Sequence, residues 1–138
     1  MFNSSGLKIY HITHLDNLKS IIDDQGVWSD SEMYTQKKEY NNVGISAIKN
    51  RRMSMQVDCY VGDFVGDYVP FNFCPRSVML YLLHCSNHQD LLYCGGQLPI
   101  IHLQADLLTS VRWADEKGFR WAFTPTIASA SYTLFVLR

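Results

Sequence analysis

The stretch "GDYVPFNFCPRSVML", residues 66–80, restricts the fold more than any other part of the chain. Proline locks its own φ, donates no backbone hydrogen bond and biases the residue before it toward extended backbone. A plain buried strand would not need Pro70 and Pro75. The pattern predicts a strand over 67–73 that turns at Pro75 into a helix, "PRSVMLYLLH", because a proline costs nothing in a first helical turn. Arg76 then stands at the start of that helix. Two roles are open to it: contact with an anion drawn to the helix N-terminus, or an ion pair with a nearby carboxylate such as Asp67.

The remaining elements alternate around this hinge. "LKIYHI" (7–12) reads as a strand, and "THLDNLKSIIDDQG" (13–26) as a helix with Leu15, Leu18, Ile21 and Ile22 on one face. Thr13 and Asp16 have near capping-box spacing, with Thr13 as N-cap, and Gly26 falls where a C-terminal glycine belongs. The polar run 29–42 predicts an exposed loop, and 43–56 a second helix. "GGQ" (95–97) reads as a turn or close-approach loop, "PIIHLQ" (99–104) as a strand, 105–118 as a helix ending at Gly118, and "RWAFT" (120–124) as a strand. Mixed strands and helices in this order define an α+β class.

Composition removes several function classes. Hydrophobic residues make up 47% and charged residues 18%, a globular balance over 138 residues, enough for one domain with a real core. No run approaches the roughly 18 apolar residues of a membrane span, and "MFNSSGLKIY" lacks the pattern of a signal peptide, so a soluble, cytoplasmic protein is expected. The net charge of −1 lacks the basic excess of a non-specific duplex-DNA binder, so any nucleic-acid contact must come from a local patch.

Most familiar site motifs are absent. There is no G-x-G-x-x-G and no P-loop. His84, Cys85, His88 and Cys94 lie close together, but their spacing matches no regular zinc pattern, so no metal is expected. Cys59, Cys74, Cys85 and Cys94 form no C-x-x-C pair and read as reduced thiols; Cys74 precedes a helix start but has no histidine fixed near it. In "YHITH", His11 faces away from Tyr10 on the strand; it is either a satisfied, partly buried side chain or part of a ligand cradle at the strand end.

One residue breaks the helical pattern of 43–56. At about 100° per residue, Ile45, Ile48 and Met55 share a face, and Arg52 falls inside that apolar arc with Arg51 at its edge. An arginine on a core-facing stripe is costly unless it meets a negative partner or lines a cleft.

Taken in order, "YHITHLDNLKSII", "IKNRR", "GDYVPFNFCPRSVMLYLLH", "GGQLPIIHLQADL" and "RWAFT" resemble the DarT family of DNA ADP-ribosyltransferase toxins over residues 9–124. Val78 stands where that family usually has proline. The resemblance implies a mono-ADP-ribosyltransferase fold, a mixed sheet with flanking helices, that moves ADP-ribose from NAD to thymine in single-stranded DNA. It also implies a macrodomain antitoxin that reverses the mark. Residue by residue, it places NAD binding on His11, Ile12, Thr13, Ser20 and Trp28, and the catalytic arginine on Arg52. Tyr68, Phe71, Phe73 and Arg76 are the local supply of aromatic and cationic groups for a single strand.

The family's catalytic glutamate belongs to a later strand, and Glu32, Glu39 and Glu116 have no matching context. The expectation is therefore a single DarT-like domain, residues 1–138, corresponding to the N-terminal two-thirds of such an enzyme. The alternative is a catalytically dead module that binds NAD or single-stranded DNA. The apolar run at Tyr132–Leu137 predicts self-association through the C-terminal segment.

Overall fold

A computed structural model describes residues 6–86 and 88–128. Strand β1 (Lys8–His14) pairs antiparallel with β2 (Ile100–Asp106), in register from Lys8 opposite Asp106 to His14 opposite Ile100. Around this ribbon lie α1 (Leu18–Asp23), α2 (Asp30–Thr35), α3 (Ser46–Ser54), α4 (Val78–Cys85) and α5 (Leu107–Lys117). The architecture is α+β, as the sequence predicts.

The two faces of β1 do different work. Tyr10, Ile12 and His14 project to one side: Tyr10 meets the His102 ring edge-on, Ile12 packs on the core, and His14 meets Tyr93 edge-on. That core joins Ile45, Leu83 and Leu91, with Met79, Leu82 and Ile100 packed around it. His11 and Thr13 project to the other side.

The first helix departs from expectation. β1 continues through His14 because Thr13 and His14 pair with Ile101 and Ile100, so Thr13 is a strand residue and not an N-cap. His14 caps instead, its Nδ1 accepting the Asp16 N–H at 3.1 Å. A 3₁₀ turn, Leu15–Asn17, leads into the short α1. Leu15 and Ile22 of the expected apolar face are exposed, and Gln25, not Gly26, takes the left-handed conformation at φ 56°.

Three further expectations change. The polar run 29–42 contains α2, capped by the Ser29 hydroxyl, which accepts the Glu32 N–H. In the helix expected over 43–56, which runs Ser46–Ser54, Ile45 is buried but Ile48 is exposed. The expected strand over 67–73 reduces to one bridge, in which Tyr10 and Asn72 exchange two 2.8 Å backbone hydrogen bonds. Pro70 lacks the donor that would extend the ladder. The helix expected from Pro75 begins at Val78, because Ser77 caps it by accepting the Leu80 N–H at 3.2 Å. Pro75 is held outside the helix, its carbonyl bonded to His102 Nε2 at 2.8 Å.

The C-terminal elements follow the sequence more closely. Asp106 caps α5 and Gly118 closes it at φ 71°. Gly95 packs so closely on Tyr93 that a Cβ there would lie 2.3 Å from the phenolic oxygen. Residues 120–124 are irregular chain with a single bridge position at Phe123, not the expected strand. Among the described residues no helix is long and apolar enough to cross a membrane. The Tyr132–Leu137 run, and with it the expected self-association surface, lies outside the described residues.

Candidate NAD site and nucleic-acid face

The arginine that breaks the α3 pattern is satisfied from two directions. Arg52 Nη1 donates to Asp30 Oδ2 at 3.0 Å, and Nη2 donates to the Tyr68 carbonyl at 3.2 Å. Its side chain is 12% exposed and that of Asp30 18%, whereas Arg51 is exposed. Lys49, one turn earlier on α3, takes the other carboxylate oxygen of Asp30 at 3.1 Å and reaches the Tyr40 hydroxyl at 2.9 Å. Partial burial makes such a pairing obligatory, since an unpaired charge there would bear its full desolvation penalty. The Lys49–Asp30 pair itself helps to line a cavity of about 650 Å³, with Tyr34, Lys38, Tyr40 and Asn50.

Tyr68 is itself held at both ends. Its hydroxyl donates to Asp63 Oδ2 at 2.6 Å, and Asp63 Oδ1 accepts from Arg120 Nη1 at 2.8 Å. Arg120 also stacks over the Tyr60 ring, 4.9 Å from its centre. Burial, reinforced by the Asp63 carboxylate, pushes the Tyr68 phenol far above its usual range, so it remains a donor. The Tyr68 bond, ahead of that from Arg120, holds the Asp63 carboxyl below the usual range.

His11 lies within reach of the Lys49, Asp30 and Arg52 charges. Its Nδ1 donates to the Pro70 carbonyl at 2.8 Å, and its ring meets Phe71 at 5.6 Å. A carbonyl only accepts, so Nδ1 carries the hydrogen, and Nε2 of the neutral ring is an acceptor. Burial lowers the His11 pKa below 6.5; the Pro70 bond and Asp30 oppose this, while Lys49 and Arg52 add to it. The imidazole is thus neutral at physiological pH.

The other expected NAD residues divide into two groups. Thr13 is buried beside His11 on the same strand face, and its Oγ1 accepts from Asn17 Nδ2 at 3.1 Å. Ile12 points the opposite way into the core. Ser20 is exposed on α1, where its carbonyl caps Asp24. Trp28 is 42% exposed, with its Nε1–H on Asp24 Oδ2 at 2.9 Å; Lys38 bonds the same oxygen at 2.5 Å.

On the expected nucleic-acid face, Phe71 and Phe73 are 40% and 54% exposed. Tyr68 is engaged at its hydroxyl and carbonyl. Arg76 is exposed and does not pair with Asp67, whose carboxylate accepts from Ser31 Oγ and from the Phe64 N–H. It opens onto a second cavity of about 700 Å³ with Ser77, Tyr81, His84 and Gln97. Among the described residues no group of three or more His, Cys, Asp or Glu side chains converges as a metal site would require.

Asp30, Lys49, Asp63 and Arg120 were not visible as site residues in the sequence. Ser29 and Glu32 do carry a helix-start signal that places Asp30 in a first turn. No pattern links Asp30 to Arg52, 22 residues away, or Arg120 to Asp63 across 57.

The mixed α+β fold is of an ADP-ribosyltransferase-like class, as its likeness to solved structures of such proteins shows. The profile described as "ssDNA thymidine ADP-ribosyltransferase, DarT" matches residues 10–137, and the chain belongs to this family. A DNA ADP-ribosyl transferase of Thermus aquaticus is 37% identical over 128 residues, which are 92% of this chain and 53% of that protein. The structure of Thermus sp. 2.9 DarT in complex with ADP-ribosylated ssDNA superposes with a TM-score of 0.77 at 33% identity, covering 94% of this chain and 57% of that one. The same protein in complex with NAD+ gives 0.73 at 30% identity, covering 97% and 59%. The chain thus spans a little over half the length of these relatives.

Proposed function

We propose that this chain supplies the NAD-binding part of a DNA ADP-ribosyltransferase that moves ADP-ribose from NAD to thymine in single-stranded DNA, acting as one domain. The observation that carries this is Arg52, held inward at two points beside a neutral His11. Rupture of the nicotinamide–ribose bond generates positive charge on the ribose, and catalysis depends on fixing NAD relative to the attacking base. Arg52 binds an anionic part of NAD, the His11 Nε2 accepts from a ribose hydroxyl, and Thr13 supports the same face. Trp28 and Ser20 form the outer wall, and Ile12 contributes packing only. A base must leave its stack to be modified, which makes single strands the natural substrate. Phe71, Phe73 and Arg76 offer stacking surface and a cation for such a strand.

The relatives' complexes with NAD+ and with ADP-ribosylated ssDNA support the choice of both substrates. Within the described residues neither Arg52 nor His11 is bonded to a glutamate. Label transfer and NAD binding are therefore measured separately. NAD-dependent thermal stabilisation, lost in Arg52→Ala, is the expected result. Transfer of labelled ADP-ribose to a thymine-containing oligonucleotide by the chain alone would extend the proposal from NAD binding to catalysis. The absence of both stabilisation and transfer would sink the proposal. A macrodomain antitoxin belongs to the same reading, and its co-expression should relieve any growth arrest the chain causes.

A further inference from the structure

We infer that Asp30 is the positioning residue for Arg52: its Oδ2, together with the Tyr68 carbonyl, fixes the guanidinium plane in the orientation that meets NAD. The inference rests on the assignment of Arg52 to NAD. One hydrogen bond would leave the guanidinium free to swivel about the donor–acceptor line. Two bonds from different Nη nitrogens, at 3.0 and 3.2 Å, fix the plane.

Both anchors are themselves anchored. Asp30 stands in the first turn of α2, directly after the Ser29 cap. A six-residue helix has little stability of its own, so α2 depends on bonds of this kind to keep its place. Lys49 takes Oδ1 of Asp30, so the two carboxylate oxygens serve two different cations and neither rotates freely. The Tyr68 carbonyl cannot drift, because the hydroxyl of the same residue is tied to Asp63 and through it to Arg120. One carboxylate between two cations leaves the trio one positive charge in excess, which suits a negatively charged ligand.

The chemistry of position 30 makes the role testable. Asparagine keeps the shape but has a single acceptor oxygen, so it turns an N–H toward one of the two cations. Glutamate keeps both oxygens on a longer arm.

Arginine side-chain NMR on the 15N-labelled chain reads the orientation directly. Separate, slowly averaged Arg52 Nη signals are expected in the unaltered chain, averaged signals in Asp30→Asn, and partial return of separate signals in Asp30→Glu. Signals in Asp30→Asn identical to those of the unaltered chain would overturn the inference. NAD titration of the same samples should show about a tenfold loss of affinity in Asp30→Asn, partly rescued by Asp30→Glu, and a larger loss in Arg52→Ala. Unchanged NAD affinity in Asp30→Asn, with affinity lost in Arg52→Ala, would also overturn it while leaving the proposed function intact. Absence of NAD binding by the unaltered chain, with averaging still seen in Asp30→Asn, would sink the proposed function alone and leave Asp30 as the holder of Arg52. If Asp30→Asn does not fold, Tyr68→Phe replaces it: releasing the far anchor of the carbonyl should broaden the Nη2 signal, and an unaltered signal would overturn the inference.

Discussion

His11 and Pro70, 59 residues apart, are joined by a 2.8 Å hydrogen bond from the imidazole Nδ1 to the proline carbonyl. Together with the Tyr10–Asn72 backbone pair, this contact fastens the proline-rich stretch to β1, and it fixes the tautomer of the histidine.

Burial of the same ring, which the Pro70 bond only partly offsets, has a consequence for acid stability. Burial depresses the folded pKa of His11, so the unfolded chain takes up the proton first as pH falls. The stability in question is fully present above pH 6.5 and is lost as pH falls through the lowered folded value. Melting temperature measured from pH 8 to pH 5 should fall below about pH 6.5, and His11→Gln should flatten that decline. An unchanged slope in the variant would contradict the assignment.

Asp63 joins two partners of unequal weight. The Tyr68 bond is partly buried, whereas the Arg120 side chain is 54% exposed and screened by solvent. Tyr68→Phe should therefore cost about 1.5–3 kcal/mol, the range for a hydrogen bond to a charged group. Arg120→Ala should cost about 1 kcal/mol or less. Urea titrations of both variants rank them, and a larger cost at Arg120 would reverse the ordering.

Tyr93 carries the one buried side-chain polar atom without a hydrogen-bond partner among the described residues, its hydroxyl oxygen. Leaving such a group unmet costs about 1–3 kcal/mol, so Tyr93→Phe should raise stability. Gly95→Ala should lower it by about 1–3 kcal/mol, since the new methyl group would overlap the Tyr93 ring. Thermal melts of the two variants should move in opposite directions.

Leu83 is completely buried between Ile45 and Leu91. Leu83→Ala removes that contact and leaves a cavity, with an expected loss of about 2–5 kcal/mol on denaturant titration. A loss under 1 kcal/mol would mean that α4 is not packed as described.

How much of this was legible in the sequence depends on the range of the interaction. α5 was readable because Gly118 punctuates its end, and β1 and β2 because their apolar residues fall in short bounded runs. The inward turn of Arg52 agrees with the helical period, although Ile48 on the same arc is exposed and Met55 lies past the helix end. α2 was missed because its six residues carry only Met33 and Tyr34 as apolar side chains, too few for a stripe, although Ser29 announces its start; tertiary bonds from Asp30 hold it. The strand expected at 67–73 shrinks to one bridge because Pro70 has no N–H for a ladder, and the helix starts after Pro75 because Ser77 is the stronger cap. Asp30, Asp63 and Arg120 were out of reach because a hydrogen bond between distant residues leaves no periodic trace.

Asn17 ties two distant segments through one side chain. Its side-chain amide mimics a neighbouring strand: Nδ2 donates to the Asn41 carbonyl at 2.9 Å and Oδ1 accepts the Asn41 N–H at 2.8 Å, while Nδ2 also serves Thr13. Asn17→Asp would keep the side-chain shape and exchange the amide donors for a charged acceptor facing two oxygens. The clasp that holds the loop before α3 against the Thr13 face therefore hangs on a single side-chain amide. Exchanging that one nitrogen for oxygen would set the loop against the strand it now grips.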